Sequence, residues 1–120
     1  MSNYAKILLV DDDKDIALSF KLALQYEGFS VEVFDSSIKA LENFRPKSFK
    51  LALIDMKMPE MDGIELYKKI RNKDEFIKIC FITAYDWDND QVKEFTDCFI
   101  KKPITLEGLV KMVKREIEQI

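Results

Sequence analysis

Two short apolar runs that end in acidic residues constrain this chain more than any other feature. The run at residues 7–10 leads directly into three consecutive aspartates, and the run at residues 51–54 leads into Asp55. Runs without polar alternation indicate strands that are buried on both faces, as in a parallel sheet covered by helices. In such sheets the ligand crevice lies beyond the carboxyl ends of the strands. The acids of both runs are therefore predicted to face one crevice.

Strand-like and helix-like segments alternate along the whole chain, which predicts an α/β fold with a doubly wound parallel sheet, right-handed crossovers and helices on both faces. At 120 residues the chain is expected to form one domain, 1–120. The predicted strands are 6–10, 31–33, 51–55, 79–83 and 98–101. The predicted helices are 15–26, Ser36 or Ser37 to Pro46, 64–72, a short fourth helix near 90–95, and 105–120.

Composition excludes several classes of function. The formal net charge of -3 argues against nucleic acid as a direct partner, because phosphate binding needs a basic face. No apolar run approaches the roughly 18 residues of a membrane span, and no signal-peptide pattern is present at the start, so we expect a cytoplasmic protein without a membrane partner. The chain has no histidine, which removes imidazole chemistry. Cys80 and Cys98 lie in apolar runs and are expected to be small buried side chains rather than a disulfide.

Four strand ends bring polar groups to the same edge of the predicted sheet. The first strand end carries Asp11, Asp12 and Asp13, and the other three carry Asp55, Thr83 and Lys102. Taken alone, the triple aspartate could simply cap the first helix. Clustered carboxylates repel by roughly 4 kcal/mol at about 4 Å and an effective dielectric near 20, so a cation should offset them. Oxygen ligands with room for water favour Mg²⁺, with Asp55 left as a nucleophile towards a phosphoryl group.

Sequence motifs follow each of these strand ends in a fixed order. They are Leu9-Val10-Asp11-Asp12-Asp13, Leu53-Ile54-Asp55-Met56-Lys57-Met58-Pro59-x-Met61-Asp62-Gly63, Ile82-Thr83-Ala84 and Phe99-Ile100-Lys101-Lys102-Pro103. Together they resemble the receiver domain of two-component response regulators across essentially the whole chain. The resemblance implies the flavodoxin-like strand order 2-1-3-4-5.

The resemblance also implies a role for each residue of the crevice. Asp55 would be the phosphoacceptor, and Lys102 would pair with it at rest. The Mg²⁺ ligands would be Asp11, Asp12, Asp55 and the backbone carbonyl of Lys57. Thr83 would bond a phosphoryl oxygen.

Three further positions take their expected roles from the same resemblance. Phe99 would be the switch aromatic that acts with Thr83. Lys57 and Tyr85 would tune the lifetime of the phosphoryl group. Pro103 would follow a cis bond that directs Lys102 into the crevice.

The implied partners are those of a signalling domain that catalyses only its own phosphorylation and dephosphorylation. They are a sensor histidine kinase or phosphotransfer protein and a downstream effector protein or C-terminal domain, with a second copy of the chain as a further option.

Some features depart from the family pattern and leave alternatives open. The segment between Thr83 and Lys102 is shorter than is usual in that family, and residues 85–90 are unusually acidic. A receiver-like binding module that works without phosphorylation is one alternative. A haloacid-dehalogenase-like phosphatase is another, but Asp15 stands where its motif requires Thr or Val. Trp87 is expected to pack over the loop or to contact a partner.

Overall fold

The computed structural model describes residues 5–84 and 98–120, and within them a five-stranded parallel sheet lies between two layers of helices. Its strands run in the order β2-β1-β3-β4-β5. The elements in chain order are β1 Lys6–Val10, α1 Lys14–Tyr26, β2 Ser30–Phe34, α2 Ser37–Asn43, β3 Leu51–Asp55, α3 Gly63–Lys73, β4 Lys78–Thr83, β5 Phe99–Lys101 and α4 Leu106–Glu118.

The central strands are apolar on both sides because each side faces helices. All five residues of β3 are buried, whereas the edge strand β2 is mostly half-buried. Alternate strand residues enter two separate apolar clusters. The cluster under α2 and α3 takes Leu8, Val10, Ala52, Ile54, Ile79 and Phe81 from the strands. The cluster under α1 and α4 takes Ile7, Leu9, Leu51, Leu53, Cys80, Ile82 and Ile100.

Polar caps define where the helices begin. Asp13, Ser36, Asp62 and Thr105 each accept a hydrogen bond from a backbone N–H of the first turn of the helix that follows. Such caps satisfy backbone donors that have no partner inside the helix. At the other end of α1, Gly28 adopts a φ of 98°, a left-handed conformation that suits glycine.

The predicted fold class and strand order are confirmed. The predicted boundaries fall within a few residues of the observed ones, with α2 ending at Asn43, short of Pro46. Two apolar side chains on the helices are exposed, Ile38 at 38% and Leu106 at 45%. The short helix predicted near 90–95, together with Trp87 and Tyr85, lies outside the described residues.

Candidate functional site

Three carboxylates meet at the carboxyl edge of the sheet. Asp11 follows β1 and is fully buried, Asp55 ends β3 and is 7% exposed, and Asp12 is exposed. One oxygen from each of the three lies within 4.8 Å of the others. The convergence predicted from the two apolar runs is therefore present in the structure.

The three consecutive aspartates have different tasks. The backbone N–H of Asp11 donates to the Phe34 carbonyl at 3.1 Å, which continues the pairing of β1 with β2. Its Oδ1 accepts from the backbone N–H of Asp13 at 2.9 Å. Asp13 in turn caps α1, accepting from the N–H groups of Asp15 and Ile16 at 3.1 Å. The helix-cap interpretation thus applies to Asp13, while Asp11 and Asp12 belong to the crevice.

A close approach between β3 and α3 positions the backbone around Asp55. Gly63 begins α3, and its N–H donates to the Met56 carbonyl at 2.9 Å. A Cβ atom at Gly63 would lie 2.6 Å from the Asp55 carbonyl oxygen and 2.8 Å from the Met56 Cα. Both obstacles are backbone atoms, so glycine at this position permits the turn that follows the acceptor strand.

Lys102 brings the positive charge of the site from the end of β5. Its backbone N–H donates to the Thr83 carbonyl at 2.6 Å, and the peptide bond to Pro103 is cis, as expected. Its Nζ lies 2.9 Å from Asp11 Oδ2 and 3.7 Å from Asp55 Oδ2. The expected pairing of Lys102 with Asp55 is present, but the contact with Asp11 is the closer one. Asp11 is fully buried and shares the cation, so the ammonium lies closer to it.

The pKa of Asp55 is raised to about 7. Burial is the largest cause, since it disfavours the ionised form, and the neighbouring charge of Asp11 adds to it. Lys102 and the backbone N–H of Lys57 act in the opposite direction. The carboxylate cluster therefore holds more negative charge than Lys102 offsets.

The other predicted site residues lie around this cluster. Thr83 ends β4, is fully buried and is paired in register with Lys101. Phe99 is half-buried and packs against the cluster under α2 and α3. Lys57 is exposed, and its backbone N–H lies 3.4 Å from Asp55 Oδ1. Tyr85, the second residue predicted to tune the phosphoryl lifetime, lies outside the described residues.

The donor set fits a hard divalent cation such as Mg²⁺. It consists of carboxylate oxygens, and the exposed Asp12 leaves one side open to solvent, where water ligands could complete the coordination. After burial, the charge of Asp11 is the largest cause that raises the pKa of Asp55, and a bound cation would offset this charge.

The cysteines contradict the sequence-based expectation. Cys80 and Cys98 are buried as predicted, but they are joined by a disulfide with their Cα atoms 4.6 Å apart. The reason is topological, because β4 and β5 are neighbours and their register places the two residues opposite each other. Their separation of 18 residues along the sequence gave no direct sign of this proximity.

Comparison with known proteins gives a consistent result. The family model described as response regulator receiver domain matches residues 7–114. The response regulator receiver protein CpdR of Brucella abortus is 35% identical over 115 residues, covering 92% of this chain and 94% of that protein. The transcriptional regulatory protein TrcR of Mycobacterium tuberculosis is 33% identical over 112 residues, covering 91% of this chain and 44% of that protein.

The fold is also similar to that of solved structures. A CheY-like response regulator receiver domain protein from Methanospirillum hungatei superimposes with a TM-score of 0.84 at 31% identity, covering 98% of this chain and 96% of that one. The chain spans about half the length of several curated relatives that it matches. Among the described residues, no helix is both long and apolar enough to cross a membrane.

Proposed function

This chain belongs to the response regulator receiver domain family, and from that premise we propose that Asp55 accepts a phosphoryl group. The donor is the phosphohistidine of a sensor histidine kinase or of a phosphotransfer protein, since this chain has no histidine of its own. One observation carries the proposal. Carboxylate oxygens of Asp11, Asp12 and Asp55 converge within 4.8 Å, opposite the ammonium of Lys102.

The residues of the site divide the reaction between them. An oxygen of the Asp55 carboxylate attacks phosphorus, the bond to the histidine nitrogen breaks, and an acyl phosphate results. Lys102 turns from Asp11 towards the new phosphoryl oxygens. Its Nζ already lies 3.7 Å from Asp55 Oδ2, so a small movement is enough. Such a transfer needs positioning and charge stabilisation more than covalent chemistry. Asp11, Asp12, Asp55 and the backbone carbonyl of Lys57 would hold Mg²⁺, which when bound supplies charge neutralisation.

The signal leaves the site through Thr83 and Phe99. The Thr83 hydroxyl donates a hydrogen bond to a phosphoryl oxygen, and Phe99 moves deeper into the space that β4 and β5 border. Thr83 is buried at the end of β4, and Phe99 is half-buried at the start of β5. A small shift of either strand end therefore changes the protein surface around Phe99. The domain signals in this way and has no further substrate.

The partners follow from this role. We propose that the chain, as one receiver domain over residues 1–120, acts in the cytoplasm on an effector protein or on a C-terminal effector domain. Several relatives named as transcriptional regulatory proteins are about twice as long as this chain, which supports an effector partner. A homodimer of the phosphorylated form is a further partner in this proposal.

The first prediction tests Asp55 directly. Incubation with acetyl phosphate and Mg²⁺ should add one phosphate, detected by intact-protein mass spectrometry, and addition should cease with a chelator or in Asp55→Asn. Asp13→Asn is the matched control, because Asp13 caps α1 outside the carboxylate cluster and should leave labelling intact. Undiminished labelling of Asp55→Asn would assign the acceptor elsewhere.

A wild-type protein that acquires no phosphate from acetyl phosphate or from any histidine kinase would support the alternative function, a binding module that works without phosphorylation.

The second prediction concerns the phosphoryl lifetime. Lys57 and Tyr85 stand two residues after Asp55 and two after Thr83. Both are bulky and should obstruct the attacking water, so a Lys57→Gly, Tyr85→Ala double variant should lose its phosphoryl group faster than the wild type. Loss of label after removal of the donor measures the rate. Lys68→Ala, on α3, is the control and should leave it unchanged.

A further inference from the structure

Cys80 and Cys98 are the two cysteines of the chain, and the proposed phosphoryl transfer uses neither. Strands β4 and β5 pair Phe81 with Phe99, so the cysteines one residue earlier face each other on the α1 and α4 side of the sheet. Their Cα separation of 4.6 Å falls within the range of about 4.4–6.8 Å that a disulfide spans. The fold itself therefore brings the two sulfurs together.

A metal site is the competing explanation for this cluster. A carboxylate oxygen of Glu116 lies within 4.8 Å of both sulfurs. That carboxylate is already bound, however, because Lys78 Nζ pairs with Glu116 Oε1 at 2.7 Å. Among the described residues the cluster offers three ligands, whereas a closed zinc site needs four. Dithiol–disulfide chemistry fits the cluster better than metal binding.

We propose that Cys80 and Cys98 form a reversible redox pair whose closure holds β5 against β4 and slows the phosphorylation of the receiver. The cross-link lies three residues before Thr83 and four before Lys102, on the two strands that carry the proposed switch. The effect on phosphorylation rests on the proposed function, whereas the cross-link and its constraint on β5 do not.

The cross-link is expected to affect β5 because this strand is short and its described backbone pairing is with β4 alone. It is three residues long, lies at the edge of the sheet and pairs with β4 at three positions. Short edge elements with few partners open more readily than the central strands. A covalent bond at Cys98 fixes the start of this strand, and with it the movement available to Phe99 and Lys102.

The oxidant is a small disulfide of the glutathione class, and the exchange balances. Cys98 is 3% exposed and Cys80 is fully buried, so the Cys98 thiolate attacks first when the edge strand opens. This attack releases one small thiolate and leaves a mixed disulfide on Cys98. The Cys80 thiolate then attacks the Cys98 sulfur, forms the protein disulfide and releases the second small thiolate. The two cysteine protons pass to the two released thiolates, and excess small thiol reverses the sequence.

The cross-link is tested on the purified full chain, reduced and then treated with oxidised glutathione. Alkylation under denaturing conditions followed by intact mass measurement should show both cysteines protected, and dithiothreitol should restore both thiols. The melting temperature of the oxidised form should be higher by about 5–10 °C. A dithiol that persists in excess oxidant would overturn the proposal. Stoichiometric zinc bound by the reduced protein and lost in Cys98→Ala would overturn it in favour of a metal site.

The constraint on β5 is tested by amide hydrogen exchange, which does not depend on phosphorylation. Exchange at Ile100 and Lys102, whose N–H groups face β4, should be about tenfold slower in the oxidised form. The Cys80→Ala, Cys98→Ala variant, or Cys98→Ala if the double variant does not fold, should exchange equally with and without oxidant. Equal exchange in the two redox forms of the wild type would overturn the proposal.

The consequence for signalling is measured as the rate of Asp55 phosphorylation by acetyl phosphate. The oxidised form should react about fivefold more slowly than the reduced form, and the cysteine-free variant should react alike under both conditions. Equal rates in both wild-type forms would overturn the coupling and leave the proposed function standing. A chain that closes the disulfide and slows β5 exchange, yet accepts no phosphate in either form, would instead overturn the proposed function.

Discussion

Asp55 and Asp74 are buried to the same extent at opposite edges of the sheet, yet their environments act on them in opposite directions. Asp55 is 7% exposed at the carboxyl edge, and Asp74 is 6% exposed where α3 leads into β4. The pKa of Asp55 is raised, whereas the pKa of Asp74 is lowered. Burial alone therefore does not determine how readily a carboxyl group ionises in this protein.

Hydrogen bonds explain the behaviour of Asp74. Burial acts to raise its pKa, but backbone N–H groups of Lys47, Phe76 and Ile77 donate to its oxygens at 2.8, 3.0 and 3.2 Å and outweigh that effect, with help from the charge of Arg71. The first of these bonds also secures Lys47 in a left-handed conformation, with a φ of 64°. Asp74 is thus a structural carboxylate that ties the turn after α2 to the start of β4.

Asp55 lacks comparable donors among the described backbone groups. The N–H of Lys57 approaches it only to 3.4 Å, and Lys102 lies closer to Asp11. Burial and the adjacent Asp11 therefore raise the pKa of Asp55. The comparison teaches that a buried acid held by several backbone N–H groups stabilises the fold, whereas one beside a second carboxylate is available to a cation or a phosphoryl group.

The largest expected effect is the destabilisation caused by Asp74→Asn. The amide NH₂ would face either the N–H of Lys47 or those of Phe76 and Ile77, so that one donor would point at another. The free energy of unfolding should therefore fall by about 2–4 kcal/mol. Because the folded pKa of Asp74 is lowered, its contribution is present at neutral pH and is lost as the pH falls below about 4. Urea unfolding at pH 7 measures the loss. If Asp74→Asn unfolds at the same urea concentration as the wild type, the comparison fails, because the hydrogen bonds to Asp74 would then contribute nothing to stability.

Asp55→Asn should change the free energy of unfolding in the opposite direction. A raised folded pKa means that the folded state binds the proton more tightly, so stability falls as the pH rises from about 4 to about 7. Removing the charge should therefore raise the free energy of unfolding by about 1–3 kcal/mol at pH 8 in the presence of a chelator, and by less at pH 5. Urea unfolding at both pH values checks this. Destabilisation at pH 8 would show that Lys102 already offsets the charge.

The smallest expected effect is that of Mg²⁺ on stability. At about ten times its dissociation constant, a ligand that binds only the folded state adds about 1.4 kcal/mol. Wild-type protein at pH 8 should therefore show a higher melting temperature when Mg²⁺ is added. Asp55→Asn should show less of it, and Asp74→Asn, although less stable, should retain it in full. An equal gain in all three proteins would place the cation elsewhere.

The parallel sheet and its crevice were predictable because they depend on local patterns, whereas the strand order was predicted from the resemblance to receiver domains. Apolar runs define the strands, and the polar residue at each strand end needs only the rule that parallel strands share a carboxyl edge. Asp11, Asp55 and Lys102 meet for that reason. The placement of Gly63 against the Asp55 carbonyl was visible only as part of a motif, since its cause is a contact between two backbones.

What the sequence could not predict depends on pairing between distant residues. The disulfide requires the register of β4 and β5, and the preference of Lys102 for Asp11 requires side-chain distances. The support of Asp74 for the turn at Lys47 joins residues 27 positions apart. No periodicity or motif encodes such contacts, because each is fixed only when two elements dock.

The separation of the apolar interior into two clusters has a consequence for how this domain can be altered. Among residues 5–84 and 98–120, the cluster under α2 and α3 and the cluster under α1 and α4 share no side chain. Within these residues, a change of volume on one side reaches the other through the strand backbones, which a hydrogen-bonded ladder keeps in place. Each side can therefore be redesigned as an independent module, with the effects of substitutions in the two clusters adding. The packing under α2 and α3 can thus change while the helices over the cysteine pair remain as they are.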